Sequence, residues 1–587
     1  MNYNLNDIAE QPQKISSLRA LQKLLRLITE ERRNMLLALM AIITNSALNL
    51  MGPFIIGHVI DTYVVHKDFD GVLFWAAILL GMYMVAFVAS YLQTVMMGGV
   101  GQRMLFKLRN TIFNKLQELP VSFFNQNKAG DLISRVNNDT DKINQFFSQS
   151  LMQFIGTIMT MTGAGIFLLV INPELGAATL LPGLLIFIIT KFISPWIKKK
   201  NAVSMQRTGG LSAEIQEGLH NFKVIIAFNR RDYFRNRFED ANHKNYTSAI
   251  SAGIANNVFI PVYGLFAAVA QLVVLTVGIY LISTGQFSIG LLVSYLAYAV
   301  NFYNPLRQLA ALWANFQVAM AGWDRISYIL SMENNLPVLP APAVEKHNGA
   351  IMEFRDVSFG YDDGKEILHN INFLLEPGKT YALVGPTGGG KTTTASLIAR
   401  LYDPVKGQVL LDGKDIRSYQ PAERSNKIGF ILQEPFLFTG AVRENILYSN
   451  EEYLNFTNEQ LEATIKDAGL QSLLNIFEKG LDTELSSGGD SISLGQKQLI
   501  AFMRAVLRNP ALLILDEATA NIDTITEQIL QNILNKLPSS TTRVIIAHRL
   551  NTIQNADEIF FVNAGEVIRA GSFDHAVNML LHGERQS

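Results

Sequence analysis

Six apolar segments, at approximately 35–60, 72–98, 146–171, 175–196, 254–282 and 287–310, limit what this chain can fold into more than any other feature. Each is near the ~20 residues that a helix needs to cross the hydrocarbon core of a bilayer. Two long polar intervals, at 100–145 and 197–250, separate them and still show helical periodicity. These intervals read as membrane helices continued far into water, not as separate domains. The remaining connections are short: 61–70, 172–174 and 283–288. Averages of 49% hydrophobic and 17% charged residues over 587 positions hide this split, because the second half reads as a soluble α/β domain.

Lysine and arginine orient the spans. The long intervals hold Arg103, Lys107, Arg109, Lys115, Lys128, Arg135 and Lys142, then Lys198, Lys199, Lys200, Arg207, Lys223, Arg230, Arg231, Arg235 and Arg237. The short loops hold little beyond Lys67. The long intervals, both termini and the second half are therefore expected in the cytoplasm. Basic residues placed between spans argue against a nucleic-acid patch, and a formal net charge of -1 implies no global polyelectrolyte partner. Almost no ionisable residue lies mid-span, where each would cost roughly 2.5–3.5 kcal/mol, so no ion relay is expected. The spans instead offer Met97, Met152, Phe187, Tyr263, Tyr295, Tyr298, Phe302 and Tyr303, among others, suited to an adaptable apolar cavity or to plain packing. With no cysteine, disulfides, thiol catalysis and cysteine–metal sites are excluded. The N-terminus lacks the pattern of a cleaved signal peptide. Within residues 1–33, Ile15, Leu18, Leu21, Leu25 and Ile28 recur at helical spacing opposite Lys14, Arg19, Lys23 and Arg26, which predicts an interfacial helix at the membrane surface.

The second half is organised around Gly385-Pro386-Thr387-Gly388-Gly389-Gly390-Lys391-Thr392, the full G-x-x-x-x-G-K-[ST] pattern, followed by Thr393. An apolar run precedes it and a helical run follows, the strand–loop–helix context that this motif needs. Glycines let backbone N–H groups turn inward around phosphate oxygens, and the helix N-terminus adds partial positive charge. Lys391 then reaches the β- and γ-phosphates and the Thr392 hydroxyl ligates Mg²⁺. Residues 511–520, "ALLILDEATA", hold an apolar strand ending in Asp516-Glu517. Asp516 is placed to hold Mg²⁺ and Glu517 to polarise an attacking water. His548 ends another strand and is a candidate for the γ-phosphate. Gln433 follows a third strand and is a candidate for the metal and water shell. The expected cofactors are ATP and Mg²⁺.

Residues 492–507, "ISLGQKQLIAFMRAVL", open a helix at Ser493 and look like the signature, usually written LSGGQ, of ABC transporters. With the motifs above in the same order, nearly the whole chain resembles a bacterial half-transporter of the ABC exporter type. The resemblance implies an α-helical polytopic membrane domain at 34–331, its six transmembrane helices extended into the cytoplasm. A linker at 332–350 and an α/β P-loop ATPase domain at 351–587 follow. It also implies that Tyr361 stacks on adenine and that Ser493, Gly495 and Gln496 face a nucleotide held by the partner. Asp523 would lie in the loop that crosses to that partner. The "GAVRENI" segment at 440–446 would contact the membrane helices, with coupling helices near 123–135 and 223–238. Two such chains sandwich ATP. The implied activity is ATP-driven export of hydrophobic or amphipathic compounds, drug-like or lipid, across the bacterial cytoplasmic (inner) membrane by alternating access. A siderophore importer, an ATP-gated channel and a homodimeric lipid flippase remain as alternatives.

The chain departs from the family pattern at Leu494, where the signature has its first glycine, and in "TELSSGGDS" at 483–491. Either the change is neutral and two copies form a homodimer, or this chain pairs with a different half-transporter. The "SSGGDSISLGQ" block resembles subunits of heterodimeric multidrug exporters, which favours the second reading.

Overall fold

The computed structural model describes residues 31–333, 336–340, 349–361, 365–486, 491–516, 524–546 and 554–571, with Leu5, His575 and Val577. The expected surface helix at 15–28 and most of the linker lie outside this set. The first half is six long helices: α1 (Arg32–Val64), α2 (Phe69–Glu118), α3 (Ala129–Ile171), α4 (Pro173–His220), α5 (Arg231–Ser283) and α6 (Ile289–Ser331). A helix satisfies its backbone polar groups internally, which lipid demands. The 50 residues of α2 rise about 75 Å, against a hydrocarbon core of about 30 Å, so the helices run well past any bilayer they cross.

Five of these helices are long and apolar enough to cross a membrane. The sixth expected span falls on α6, whose apolar run is diluted by Tyr295, Tyr298, Asn301, Tyr303 and Asn304. Its neighbours absorb that polarity. The hydroxyls of Tyr295, Tyr298 and Tyr303 donate to the carbonyls of Leu168 (2.5 Å), Leu50 (2.6 Å) and Thr179 (2.6 Å), on α3, α1 and α4. Gly57 and Gly290 permit α1 and α6 to touch, since a Cβ on Gly290 would lie 2.0 Å from the Gly57 carbonyl oxygen. In the polar continuation of α3, Asp139 is buried and takes a two-pronged ion pair from Arg325 of α6, with Nε to Oδ2 at 2.7 Å. Nearby, Arg109 of α2 donates to Asp141 at 2.9 Å.

The chain divides into two compact units, one built on α1–α6 and the other containing Met332–Ser587 together with Glu118–Ala129. The second unit holds two main sheets. One is antiparallel, in the order β2-β1-β4-β5, from β1 (Met352–Phe359), β2 (Leu368–Leu375), β4 (Lys406–Leu411) and β5 (Lys414–Asp415). The other has the order β12-β11-β3-β10-β9-β6, from β3 (Thr380–Val384), β6 (Ile428–Ile431), β9 (Leu512–Asp516), β10 (Thr542–Ile546), β11 (Glu558–Asn563) and β12 (Glu566–Gly571). The five strands from β11 across to β6 are parallel, and only β12 is antiparallel. Phe354, Tyr381, Leu383, Ile398, Ile514 and Phe560 lie in one core shared by the two sheets. A second core gathers Leu437, Ile446, Leu473 and Phe502 around α9 (Leu494–Val506). The described part of the connector is tied down: Leu339 N–H donates to the Arg417 carbonyl at 2.9 Å, and Arg400 Nη2 to the Pro337 carbonyl at 2.7 Å.

Candidate functional site

The parallel strands decide where chemistry happens, because all of them deliver their carboxyl ends to one edge of the sheet. β3 runs into the loop 385–390, β9 ends at Asp516, β10 ends at Ile546 just before the His548 segment, and Gln433 lies two residues beyond β6. Glu517, Asp523 and His548 lie outside the described residues. The loop itself is shaped by its glycines. Gly385, Gly388 and Gly390 hold φ of 146°, 81° and 116°, the last as the left-handed residue that starts the helix α7 (Lys391–Ile398). Beneath the loop passes β11. A Cβ on Gly385 would sit 2.0 Å, and one on Gly389 2.5 Å, from the Val562 carbonyl oxygen, whereas a Cβ on Gly388 would meet nothing within 4 Å. The loop is thus pressed against β11 on one side and open on the other, as a cradle for phosphates requires.

Lys391 is buried and folds back over the loop, donating to the carbonyls of Gly385 (2.9 Å) and Pro386 (3.0 Å). The Thr392 hydroxyl reaches Asp516 Oδ1 at 3.5 Å, and Asp516 is itself buried. A hydroxyl beside a carboxylate, with the Gln433 amide at the same sheet edge, is a hard oxygen set of the kind that suits Mg²⁺. The residues present therefore fit the metal that the sequence called for. Tyr361 exposes its ring beside α7, and its hydroxyl pairs with Thr393 Oγ1 at 3.1 Å. The signature residues start α9. The Ser493 hydroxyl accepts from Gln496 N–H (3.2 Å) and Gln496 Oε1 accepts from Ser493 N–H (2.9 Å), a reciprocal cap that fixes this turn. Leu494 follows, half-buried, and Gly495 is buried.

Several participants were invisible in the sequence. Gln498 is buried on α9 and its Nε2 donates to the Gln433 carbonyl at 3.5 Å, tying the signature helix to the loop after β6. A polar residue on an otherwise apolar helical face was the available signal. Tyr402 stands edge-on to Tyr361 with centroids 5.0 Å apart, and its hydroxyl accepts from Asn125 Nδ2 at 2.7 Å. Burial pushes the Tyr402 phenol above its ordinary value. Asn125 belongs to the short helix Val121–Gln126 of the connector between α2 and α3, the first stretch expected to contact this domain. The second, 223–238, stays with α1–α6 and exposes Val224, Ile226 and Phe228. Residues of the 440–446 segment form the helix α8 (Val442–Leu447), beside a groove lined by Phe436, Phe438, Tyr448 and Arg504.

The helical half contains a cavity of about 450 Å³ between α1, α2, α3 and α6. Met97 and Met152 line it, as expected of a binding surface, but the tyrosines do not. Tyr295, Tyr298 and Tyr303 are packed inside the bundle with their hydroxyls satisfied, and Phe187 points outward at 74% exposure.

A phosphate loop at the carboxyl edge of a parallel sheet, with a signature helix and a polytopic helical domain on the same chain, defines an ATP-hydrolysing membrane transporter. The chain belongs to the ABC transporter family. Residues 35–306 match the ABC transporter transmembrane region and residues 368–520 the ABC transporter model. An uncharacterized ABC transporter ATP-binding protein of Bacillus subtilis, YfiC, is 36% identical over 93% of this chain and 90% of its own length. A fatty acid ABC transporter ATP-binding/permease protein of Mycobacterium bovis is 32% identical over 86% of this chain and 79% of its own. A multidrug resistance ABC transporter ATP-binding and permease protein of Lactococcus lactis subsp. cremoris is 30% identical over 85% and 84%. A bacterial Atm1-family ABC exporter with ATP bound superimposes with a TM-score of 0.77 at 25% identity, covering 95% of this chain and 99% of that one. The protein is therefore a multi-pass, ATP-binding half-transporter of exporter fold, a form that implies dimerisation.

Proposed function

We propose that this chain is one half of a heterodimeric exporter that uses ATP to move hydrophobic or amphipathic compounds, drug-like or lipid, out of the cytoplasm. Residues 34–331 act as the membrane domain in the inner membrane, and residues 351–587 as the cytoplasmic nucleotide-binding domain. The observation that carries the reading is one chain uniting a phosphate-loop site with a helical domain that encloses a ligand-sized cavity. Relatives named for multidrug and fatty acid transport support the cargo class.

Within the site, the glycine loop with Pro386 and Thr387 wraps the phosphates. Lys391 leaves its loop carbonyls for the β- and γ-phosphates, Thr393 binds nearby, and Tyr361 stacks on adenine. Thr392, Asp516 and Gln433 would hold Mg²⁺, which would supply positive charge to the phosphates. Glu517 accepts the proton of the attacking water, and His548 steadies the γ-phosphate. Ser493, Gly495, Gln496 and Asp523 face the partner's half of the ATP sandwich. Closing that sandwich favours the outward-facing state; a swing from 1:99 to 99:1 needs about 5.5 kcal/mol of differential binding.

The heterodimer is supported by Leu494. Its side chain occupies the first turn of α9, where a glycine would let backbone approach a phosphate closely. The site built on the partner's loop and this signature is then the weaker of the two. The test is Mg-ATP hydrolysis by this chain purified alone in nanodiscs, wild type against Glu517→Gln. Folded, nucleotide-binding protein with little hydrolysis supports the need for a second chain. Robust hydrolysis that the variant abolishes means a homodimer works. Robust hydrolysis that survives in the variant removes Glu517 as general base.

A further inference from the structure

Polar and apolar side chains share the lining of the cavity between α1, α2, α3 and α6, which narrows the amphipathic cargo that it suits. Eleven of its sixteen lining residues carry a hydroxyl or a carboxamide, and none carries a charge. The carboxamides come from all four helices: Asn45 from α1, Gln93 from α2, Gln149 and Gln153 from α3, Gln308 from α6. The tyrosines of α6 are satisfied by protein, and so are Thr94 and Asn45 at the cavity, which pair with Ser90 and Asn49. Among the described residues, the side chains of Gln93, Gln149, Gln153 and Gln308 make no hydrogen bond to protein. An amide facing hydrocarbon without a partner costs roughly 2–7 kcal/mol, so such a set is costly unless water or a polar ligand meets it.

Their level along the helices is also shared. At 1.5 Å per residue, Asn45, Gln153 and Gln308 each lie about 28 Å from the end of their helix at the short connections, and Gln149 and Gln93 about 35 Å. With the short connections placed at one surface of the bilayer, this level falls near the far boundary of a hydrocarbon core about 30 Å thick, where the head of an amphiphile would rest. The cavity's volume, about 450 Å³, is of ligand size.

We propose that this cavity receives an uncharged amphiphile with a hydroxyl-rich head, its polyol held by the carboxamides of the four helices. A carboxamide offers a donor and an acceptor side by side, matching neighbouring hydroxyls, which do the same. A carboxylate or phosphate would enter without a lysine or arginine to meet it, and an ammonium without an aspartate or glutamate. Either head would be desolvated uncompensated. The inference rests on the exporter reading for calling the cavity a cargo site, and it narrows the cargo of that site.

The test uses the full chain in nanodiscs, without nucleotide, and measures binding of dodecyl maltoside, dodecanoate and dodecyltrimethylammonium, with empty nanodiscs subtracted. These probes share a chain and differ in head. Maltoside should bind at least about tenfold more tightly than either ion. Gln153→Leu combined with Gln308→Leu should weaken maltoside binding by roughly tenfold or more, about one net hydrogen bond each, and leave the ions unchanged. Gln153→Glu should instead tighten trimethylammonium binding several-fold, a gain that a misfolded protein cannot give. Equal or tighter binding of either ion by the wild type overturns the proposal, as does unchanged maltoside binding in the double variant. ATP-driven accumulation in inverted vesicles is a separate readout. Its absence would strike the exporter reading and leave the head-group preference standing.

Discussion

Arg325→Met isolates the ion pair that fastens α6 to the polar continuation of α3. Asp139 has a side chain only 4% exposed, whereas that of Arg325 is 44% exposed. The wild-type carboxylate takes two prongs from Arg325 and a longer contact from Lys142 at 3.4 Å. Breaking a fully buried pair from one side costs roughly 3–5 kcal/mol, because the other charge stays buried and unpaired. Lys142 remains here, and water reaches the vacated guanidinium position, so the expected cost is about 2 kcal/mol. For a unit of about 300 residues that corresponds to roughly 3 °C in the unfolding midpoint. Removing both charges in Asp139→Leu/Arg325→Met leaves no buried carboxylate unpaired and should recover most of the loss. Thermal scans in nanodiscs at one fixed rate compare the three proteins on equal terms. A double variant that falls as far as Arg325→Met, or an Arg325→Met protein indistinguishable from wild type, would refute the reasoning.

Lys391→Ala should weaken ATP binding itself, read by equilibrium binding with a fluorescent nucleotide; normal affinity would remove the loop lysine from its role. Gly389→Ala drives a methyl into the Val562 carbonyl and should cost about 1–3 kcal/mol as overpacking, with a lower midpoint and weaker nucleotide binding together. An unchanged midpoint would mean that β11 yields there. Tyr402→Phe and Asn125→Ala each delete one hydrogen bond worth about 0.5–1.5 kcal/mol, so their effects on the ATP concentration at half-saturation should not add. Strict additivity would mean that the two side chains act apart.

What could be read from the chain beforehand follows from the range of the interactions. The apolar spans are local in sequence and long, and the glycines of 385–390 are demanded by their own φ values and by β11 close beneath. Both features therefore stand out in the letters. The α6 span is fainter, because its tyrosines find carbonyl partners on helices more than 120 positions away. That same long-range pairing moved the tyrosines from the expected cavity wall into the packing and left the carboxamides to line the space. The antiparallel sheet was also hidden. In β1 the register shifts between Phe354 and Val357, with Asp356 at φ 49°, so the inward residues no longer alternate strictly. Asn125 and Tyr402 lie 277 positions apart, and no local pattern marks either one.

That last contact has a thermodynamic reading. Tyr402 touches Asn125 on one side and Tyr361 on the other, so with Tyr361 stacked on adenine as proposed, two equilibria would meet at one ring: the seating of the α2–α3 connector and the binding of nucleotide. Linked equilibria are reciprocal: whatever factor a nucleotide adds to the seating of the connector, a seated connector returns to the affinity for nucleotide. A link of about 1 kcal/mol sets that factor near five. Weakening it would not stop turnover; it would let ATP be spent while the connector, and the helices on either side of it, lag behind.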